Sequence, residues 1–487
     1  MSHNEVRTRY APSPTGFVHI GNLRSALYEY LIAKVKNGKF ILRIEDTDQK
    51  RYVEGAVDVI YDTLKIVGIK HDEGPDIGGH YGPYVQSERK HLYLPYAKQL
   101  IEKGKAYYCF CSEERLEDLR VKAEKAKVQN KYDRHCLNLS KEEIQRRLDA
   151  KEPYVIRQLM PDTGETTYND AVYGDITFNN DVLEDQILIK SDGFPTYNFA
   201  NVIDDHLMKI SHVVRGSEYI TSTPKYVLLY EAFGWEPPIF VHLPLVEKLG
   251  GGKLSKRSGD AYFSDLIKAG YLPEAVVNFI VLLGWSSGTE QEFYTLSELE
   301  KVFDIKGISK SSSVYDTDKL KWMNGEYIRR KTPEEFVKIA SPWIDKALPD
   351  TLDRTKICSM IQKRVEVLSE IPDMVKFLKK AKPIDISLYN NEKSKCNINE
   401  AKRILPIIRD KIVAMEDFNH ESIYLMFTST AQELGVKNGL VMWPARIALS
   451  GQLVTAGGAV EIADVLGKQE TLKRIDKAIK QLEKTDA

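Results

Sequence analysis

The strongest constraint on this chain is a pair of short segments separated by most of a domain. They are Arg9-Tyr10-Ala11-Pro12-Ser13-Pro14-Thr15-Gly16-Phe17-Val18-His19-Ile20-Gly21-Asn22 and, behind Gly250-Gly251-Gly252, Lys253-Leu254-Ser255-Lys256-Arg257. The first reads as a strand that runs into a Pro/Gly-rich loop and then opens a helix. Such a junction presents unpaired backbone N–H groups and the positive end of a helix dipole, which suits phosphate. His19 and Asn22, one helical turn apart, add side-chain donors there. The second segment supplies cationic side chains on a glycine-loosened loop able to fold over a triphosphate once it has bound. Together they predict a nucleotide site in an α/β fold.

The flanking periodicities agree. Residues 6–10 read as a short strand, 19–36 as a helix with Ile20, Leu23, Leu27, Tyr30 and Leu31 on one face and Gly38 closing it, and 40–44 as a second strand. That strand delivers Glu45, Asp46 and Asp48 to its C-terminal end, the edge where open parallel sheets hold ligands. From about 105 to 183 a charged texture reads as an insertion between two halves of the nucleotide fold. The alternation then resumes, with strands at 186–190, around Val202 and Ile203, at 212–214 and at 239–246, and a helix opened by Thr223-Pro224 and stopped by Gly234. Beyond Ser264 the chain turns helical. Pro273 opens a buried helix stopped by Gly284, Thr295-x-x-Glu298 and Thr332-x-x-Glu335 are capping boxes, and no strand period is evident after about Arg330.

With 487 residues, 43% of them hydrophobic, the chain is too long for one domain. A formal net charge of −1 excludes a globally basic nucleic-acid binder, so any polyanion footprint is local. Residues 354–411 carry fourteen Lys/Arg against seven Asp/Glu, a net of about +7, which suits a phosphate-tracking face or, equally, a solvated helical surface. The first five residues lack a signal peptide's apolar stretch, and no apolar run is long enough to span a bilayer, which points to a cytosolic protein. Five scattered cysteines argue against a disulfide framework. Cys109-x-Cys111 followed by His135-Cys136 offers four ligands for a tetrahedral zinc, the alternative being three inert thiols.

The two motifs resemble the signatures of class I aminoacyl-tRNA synthetases. Ala11-Pro12-Ser13-Pro14-Thr15-Gly16, the run Arg43-Ile44-Glu45-Asp46-Thr47-Asp48 and Ser191-Asp192-Gly193-Phe194-Pro195-Thr196-Tyr197 narrow the resemblance to the bacterial-type glutamyl-tRNA synthetases. It is dense from Arg7 to about Arg330 and thinner beyond, where the helical patterning is similar to the bacterial glutamyl enzymes and unlike the β-barrels of the glutaminyl ones.

The resemblance implies a Rossmann-type α/β catalytic domain, in halves at 1–105 and 186–262, split by an α+β insertion at 106–185 that grips the acceptor end. A stem-contact region at 263–330 and all-α anticodon-binding domains at 331–487 would follow. It further implies a monomeric cytoplasmic ligase that uses ATP and Mg²⁺ to convert L-glutamate into glutamyl-adenylate and passes it to the 3′ end of tRNA(Glu).

On this resemblance Pro12, His19, Gly21, Asn22, Lys253, Ser255, Lys256 and Arg257 would hold ATP, with His19, Asn22 and Lys256 carrying the chemistry. Arg9, Ser13, Glu45, Tyr197, Asn201 and Arg215 match positions that hold glutamate. A substrate with two carboxylates and an ammonium calls for two cationic forks and an acidic or hydroxyl partner. Arg364 lies near the place of an anticodon-reading arginine. Some members bind zinc in the insertion through Cys-x-Cys and a later Cys-x-His; here the second pair runs His-Cys without a spacer, so zinc on Cys109, Cys111, His135 and Cys136 stands beside the free-thiol alternative. Truncated relatives that glutamylate a modified tRNA base lack the helical domains this chain has. Non-catalytic RNA-binding relatives would be expected to lose one of the two motifs, and both are kept.

Overall fold

A computed structural model describes residues 5–48, 51–127, 131–252 and 262–484, and the basic motif at 253–257 lies outside them. The chain divides into two compact units, Met1–Leu266 with Val276–Asp316, and Ile267–Ala275 with Thr317–Ala487.

The first unit holds all the strands found among the described residues. In chain order they are β1 (Arg7–Tyr10), β2 (Lys39–Leu42), β3 (Ala106–Cys109), β4 (Val155–Gln158), β5 (Glu165–Asp170), β6 (Gly174–Asn179), β7 (Ile187–Ile189), β8 (His212–Gly216), β9 (Ile239–Leu243), β10 (Val246–Lys248) and β11 (Ser313–Tyr315). β1 and β2 run parallel, Arg9 opposite Ile41 and Tyr10 opposite Leu42. β8 and β9 are parallel as well, with Arg215 opposite His242. A four-stranded sheet runs β6-β5-β9-β8, and the backbone N–H of Ser211, just before β8, donates to the carbonyl of Arg7 at 2.9 Å. β3, β4 and β7 form a separate antiparallel sheet. Within residues 106–185, β3 and β4 pair with each other, whereas the hairpin β5–β6 is hydrogen-bonded into the sheet of β8 and β9.

The helix Ile20–Val35 crosses from β1 back to β2, and it is buried almost all round, which is why its apolar stripe is broad. Its close differs from the sequence expectation. Asn37 takes the left-handed conformation at φ 50°, whereas Gly38 is needed because a Cβ there would meet the Val6 carbonyl oxygen at 2.1 Å.

Two strand expectations are corrected. Val202 and Ile203 lie in the helix Tyr197–Leu207, because Phe199, Ala200, Val202 and Ile203 repeat with helical spacing and are all buried. The strand expected at 239–246 breaks after Leu243, since Pro244 has no N–H to give a ladder. The helix Thr223–Phe233 stops at Gly234 in the left-handed region, and both capping boxes form, at Thr295 and Thr332.

The second unit is helical. Helices Pro333–Ile344, Arg354–Ile361, Ile398–Ala414, His420–Glu433, Asn438–Ser450 and Ala459–Glu483 enclose one apolar core that includes Phe336, Ile361, Ile404, Phe427, Ile447 and Ile475.

Candidate active site

A cavity of about 1290 Å³ opens at the C-terminal ends of β1 and β8, and both sets of predicted ligand residues reach it. Pro12, Ser13, His19, Gly21 and Asn22 line it, as do Arg9, Glu45, Tyr197 and Arg215. Asn201 does not; it is buried behind Arg9, with its Oδ1 3.5 Å from Arg9 Nη2. Lys253, Ser255, Lys256 and Arg257 lie outside the described residues.

The nucleotide end is built by local rules. His19 caps the helix Ile20–Val35 from an extended conformation, and its Nδ1 accepts the backbone N–H of Gly21 at 3.1 Å. A Cβ at Gly21 would come within 3.4 Å of that nitrogen. Asn22 is exposed, and no acidic residue occupies the helix's first turn, so the N-terminal field meets the cavity uncancelled.

The other end is a buried charge network. Arg9 gives Nε to Asp205 Oδ1 at 3.0 Å and Nη1 to Glu29 Oε1 at 3.2 Å. Arg43 gives Nη1 to the same Asp205 oxygen at 2.7 Å, and Nε and Nη2 to Glu45 Oε1 at 3.2 and 2.8 Å. All five side chains are nearly inaccessible. Burial pushes Asp205 upward, but Arg9 and Arg43 outweigh it and hold the carboxyl below its ordinary range. At Glu45 burial wins over Arg43 and Arg9 and lifts the carboxyl to about 6. Its Oε2 is buried and has no partner among the described residues. A carboxylate oxygen left like this is costly unless a cation arrives.

Arg215 ends the cavity at the tip of β8. It donates Nε to His242 Nε2 at 3.2 Å and Nη2 to Thr223 Oγ1 at 2.8 Å, and its guanidinium lies 4.5 Å from the Tyr226 ring centre. Tyr197, at the N-terminus of its helix, has its phenol pushed up by burial and by Glu45.

In the insertion, the sulfurs of Cys109, Cys111 and Cys136 lie within 4.8 Å of one another. The Tyr132 hydroxyl stands 3.2 Å from both Cys109 Sγ and Cys111 Sγ, and Cys111 Sγ is 3.6 Å from Cys136 Sγ. Sulfurs bound to one tetrahedral zinc at about 2.3 Å sit roughly 3.8 Å apart, so the set fits. His135 is not part of it: the ring is exposed, and its backbone N–H donates to Asp133. Tyr132 stands at the sulfurs instead. Burial raises the Cys109 thiol, but hydrogen bonds from Tyr132 and Arg157 more than offset this and hold it below the ordinary value, whereas burial and the neighbouring sulfurs of Cys109 and Cys136 push the Cys111 thiol up to about 11. In the helical unit, Arg364 is exposed and gives Nη1 to the Thr455 carbonyl at 2.9 Å; Arg446 reaches the same turn through the Thr455 hydroxyl.

Sequence reasoning passed over Arg43, Glu29, Asp205 and His242. Arg43 is signalled by its strand spacing of two from Glu45, and Asp205 by its spacing of four from Asn201, one turn of the helix Tyr197–Leu207.

Residues 5–322 match the model of tRNA synthetases class I (E and Q), catalytic domain, and residues 335–479 match an anticodon binding domain. The chain is 56% identical over 489 residues to a glutamate–tRNA ligase of Clostridium acetobutylicum, covering 99% of this chain and all of that one. It is equally identical over 478 residues to one of Clostridium kluyveri, covering 98% of each. A crystal structure of a glutamate tRNA ligase from Elizabethkingia meningosepticum in complex with its amino acid superposes with a TM-score of 0.89 at 36% identity, covering 98% of this chain and all of the other. The glutamate-tRNA synthetase of Elizabethkingia anophelis gives 0.90 at the same identity and coverage. With a split α/β catalytic unit, a helix N-terminus beside a cationic and acidic pocket, and a second unit that is helical, the chain belongs to the class I tRNA synthetases of the glutamyl and glutaminyl family.

Proposed function

We propose that the chain is a glutamate–tRNA ligase, forming glutamyl-adenylate from L-glutamate and MgATP and transferring glutamate to the terminal ribose of tRNA(Glu). The observation that carries the amino-acid assignment is the buried, unpartnered Glu45 Oε2 in one cavity with two guanidinium groups, Arg9 and Arg215. An α-ammonium suits the first and a dicarboxylate suits the other two.

In the activation step a glutamate carboxylate oxygen attacks the α-phosphorus and pyrophosphate leaves, so the protein's work is alignment and charge neutralisation. His19 and Asn22, at the start of their helix, are assigned to the phosphates beside Pro12 and Gly21. Lys256, with Lys253, Ser255 and Arg257, is assigned from its motif to the departing pyrophosphate. Ser13, Tyr197 and Asn201 complete the amino-acid pocket, Asn201 by steadying Arg9.

The insertion is assigned to the acceptor end, the 263–330 region to the stem and Arg364 to the anticodon. Cys109, Cys111, Cys136 and Tyr132 would hold zinc, which would tie the strand end at Cys109 to the loop at Cys136. We take the enzyme to act as a cytoplasmic monomer. Among the described residues no helix is long and apolar enough to cross a membrane.

ATP–pyrophosphate exchange with glutamate, glutamine and aspartate, with and without tRNA, tests the reading. Glutamine would set an amide NH₂ against a guanidinium, so discrimination of about 10³-fold or more is expected without an editing site. Aspartate is one methylene too short to span both arginines. Exchange should require tRNA, as in similar glutamyl enzymes. Comparable turnover of glutamine and glutamate would overturn the substrate assignment.

A further inference from the structure

Three neighbouring strand ends set Asp170, His242 and Arg215 in a row. Arg215 and His242 are register partners on parallel β8 and β9, and Asp170 ends β5 opposite Phe240 of β9. Asp170 is itself rigid: its Oδ1 accepts the backbone N–H groups of Val172 and Tyr173, both at 2.9 Å, and its Oδ2 that of His242 at 3.1 Å. The same Oδ2 lies 2.7 Å from His242 Nδ1. His242 and Thr223 are wholly inaccessible and Asp170 nearly so.

Proton bookkeeping along this row has a single solution. A guanidinium only donates, so the nitrogen facing Arg215 Nε, which is His242 Nε2, must accept. The imidazole proton therefore sits on Nδ1 and is donated to Asp170. Protonating Nε2 as well would set N–H against N–H and a second cation beside Arg215. Burial and Arg215 hold the imidazole neutral against the pull of Asp170 and the more distant Glu218. The remaining polar group at His242 is the Thr223 hydroxyl, 3.2 Å from Nε2, which gives its own proton to the Tyr219 carbonyl. The ring of Tyr168 packs 6.3 Å away. The Nε–Nη2 edge of Arg215 is thus held, and the Nη1–Nη2 end of the fork is what remains to meet a carboxylate.

We propose that His242, braced by Asp170 in its Nδ1–H tautomer, is the positioning residue that fixes Arg215 for the substrate carboxylate and thereby sets affinity for glutamate and its preference over glutamine. The inference rests on the reading of Arg215 as a carboxylate-binding residue.

Two substitutions separate donor from acceptor. His242→Asn keeps a donor for Asp170 and loses the acceptor for Arg215, whereas His242→Gln keeps an acceptor at the Nε2 position. In aminoacylation with tRNA, His242→Asn is expected to raise KM for glutamate by about 10- to 100-fold, the loss of one charge-assisted hydrogen bond. It should also narrow the glutamate-to-glutamine ratio while leaving KM for ATP within about 2-fold, and His242→Gln should recover most of the affinity. Equal defects in both variants, or a rise in both KM values together, would assign His242 a packing role and overturn the proposal.

Arg215→Ala distinguishes the two levels. If it leaves KM for glutamate unchanged, the pocket reading itself fails; if it raises KM while His242→Asn does not, only the positioning role fails. Should His242→Asn not fold, ¹⁵N spectra of the wild type, with His242 assigned through the Gln variant, decide the tautomer. A protonated Nε2 at neutral pH would overturn the proposal.

Discussion

Glu45→Gln should weaken glutamate binding and stabilise the free protein at the same time. Glu45 is 3% exposed, and Arg43 takes only one of its oxygens. Its folded pKa of about 6 stands above the ordinary 4.5, burial being the largest cause. The sign follows directly. A carboxyl whose folded pKa is raised binds its proton more readily folded than unfolded, so the wild type gains stability as pH falls from about 6 toward 4.5. Above 6 it carries the full penalty. The gap between about 6 and 4.5 corresponds to about 2 kcal/mol, which a neutral amide does not bear.

The ligand effect runs the other way. Losing an anionic partner for the α-ammonium costs about 1.5–3 kcal/mol, a rise in KM for glutamate of roughly 10- to 100-fold, and an amide NH₂ turned toward the ammonium adds to it. Pyrophosphate exchange over a glutamate titration, with tRNA present, measures the first effect. Thermal unfolding between pH 4.5 and 8 measures the second: the variant's midpoint should lie above the wild type's at pH 7.5 and converge with it near 4.5. An unchanged KM, or a variant less stable at pH 7.5, would refute the argument that Glu45 is held ionised for a cation.

Protein purified without chelator is expected to carry close to one zinc per chain, lost in Cys109→Ser; metal analysis that finds none in the wild type would end that assignment. Arg364→Gln should relax discrimination between tRNA(Glu) and tRNA(Gln), and identical charging ratios would show that another residue reads the third anticodon base. Arg474 donates to the carbonyls of Phe377, Leu378 and Leu449 at 2.9, 2.6 and 2.7 Å from a buried position, so Arg474→Met should cost the helical unit about 3–5 kcal/mol in urea unfolding. A loss under about 1 kcal/mol would mean that those carbonyls find other donors.

The parts of this molecule that follow local rules were readable in its residues. The Thr295 and Thr332 boxes and the Gly234 stop each depend on a few neighbours along the chain, and each formed as expected. Relations set by distant pairing were less visible. Phe199 to Ile203 carry two β-branched residues that read as strand when taken alone, and only their packing as a buried helix brings Asn201 and Asp205 to Arg9. In the same way, the separation of Tyr132 from Cys109 along the chain hides a hydroxyl that folding sets against two sulfurs, while His135, next to Cys136, is exposed and outside the cluster.

The hairpin β5–β6 falls inside the segment that sequence reading treats as an insertion, yet β5 is hydrogen-bonded into the sheet of β8 and β9. Modular exchange of this segment between homologous proteins is therefore constrained. A chimera joined at 106 and 185 would import its own β5 edge and, with it, whatever stands at position 170, whereas crossovers that spare 165–179 would exchange the antiparallel β3–β4 pair and leave the sheet behind Arg215 intact. Recombinants built to the first boundary should show altered glutamate affinity even where every residue lining the cavity is unchanged.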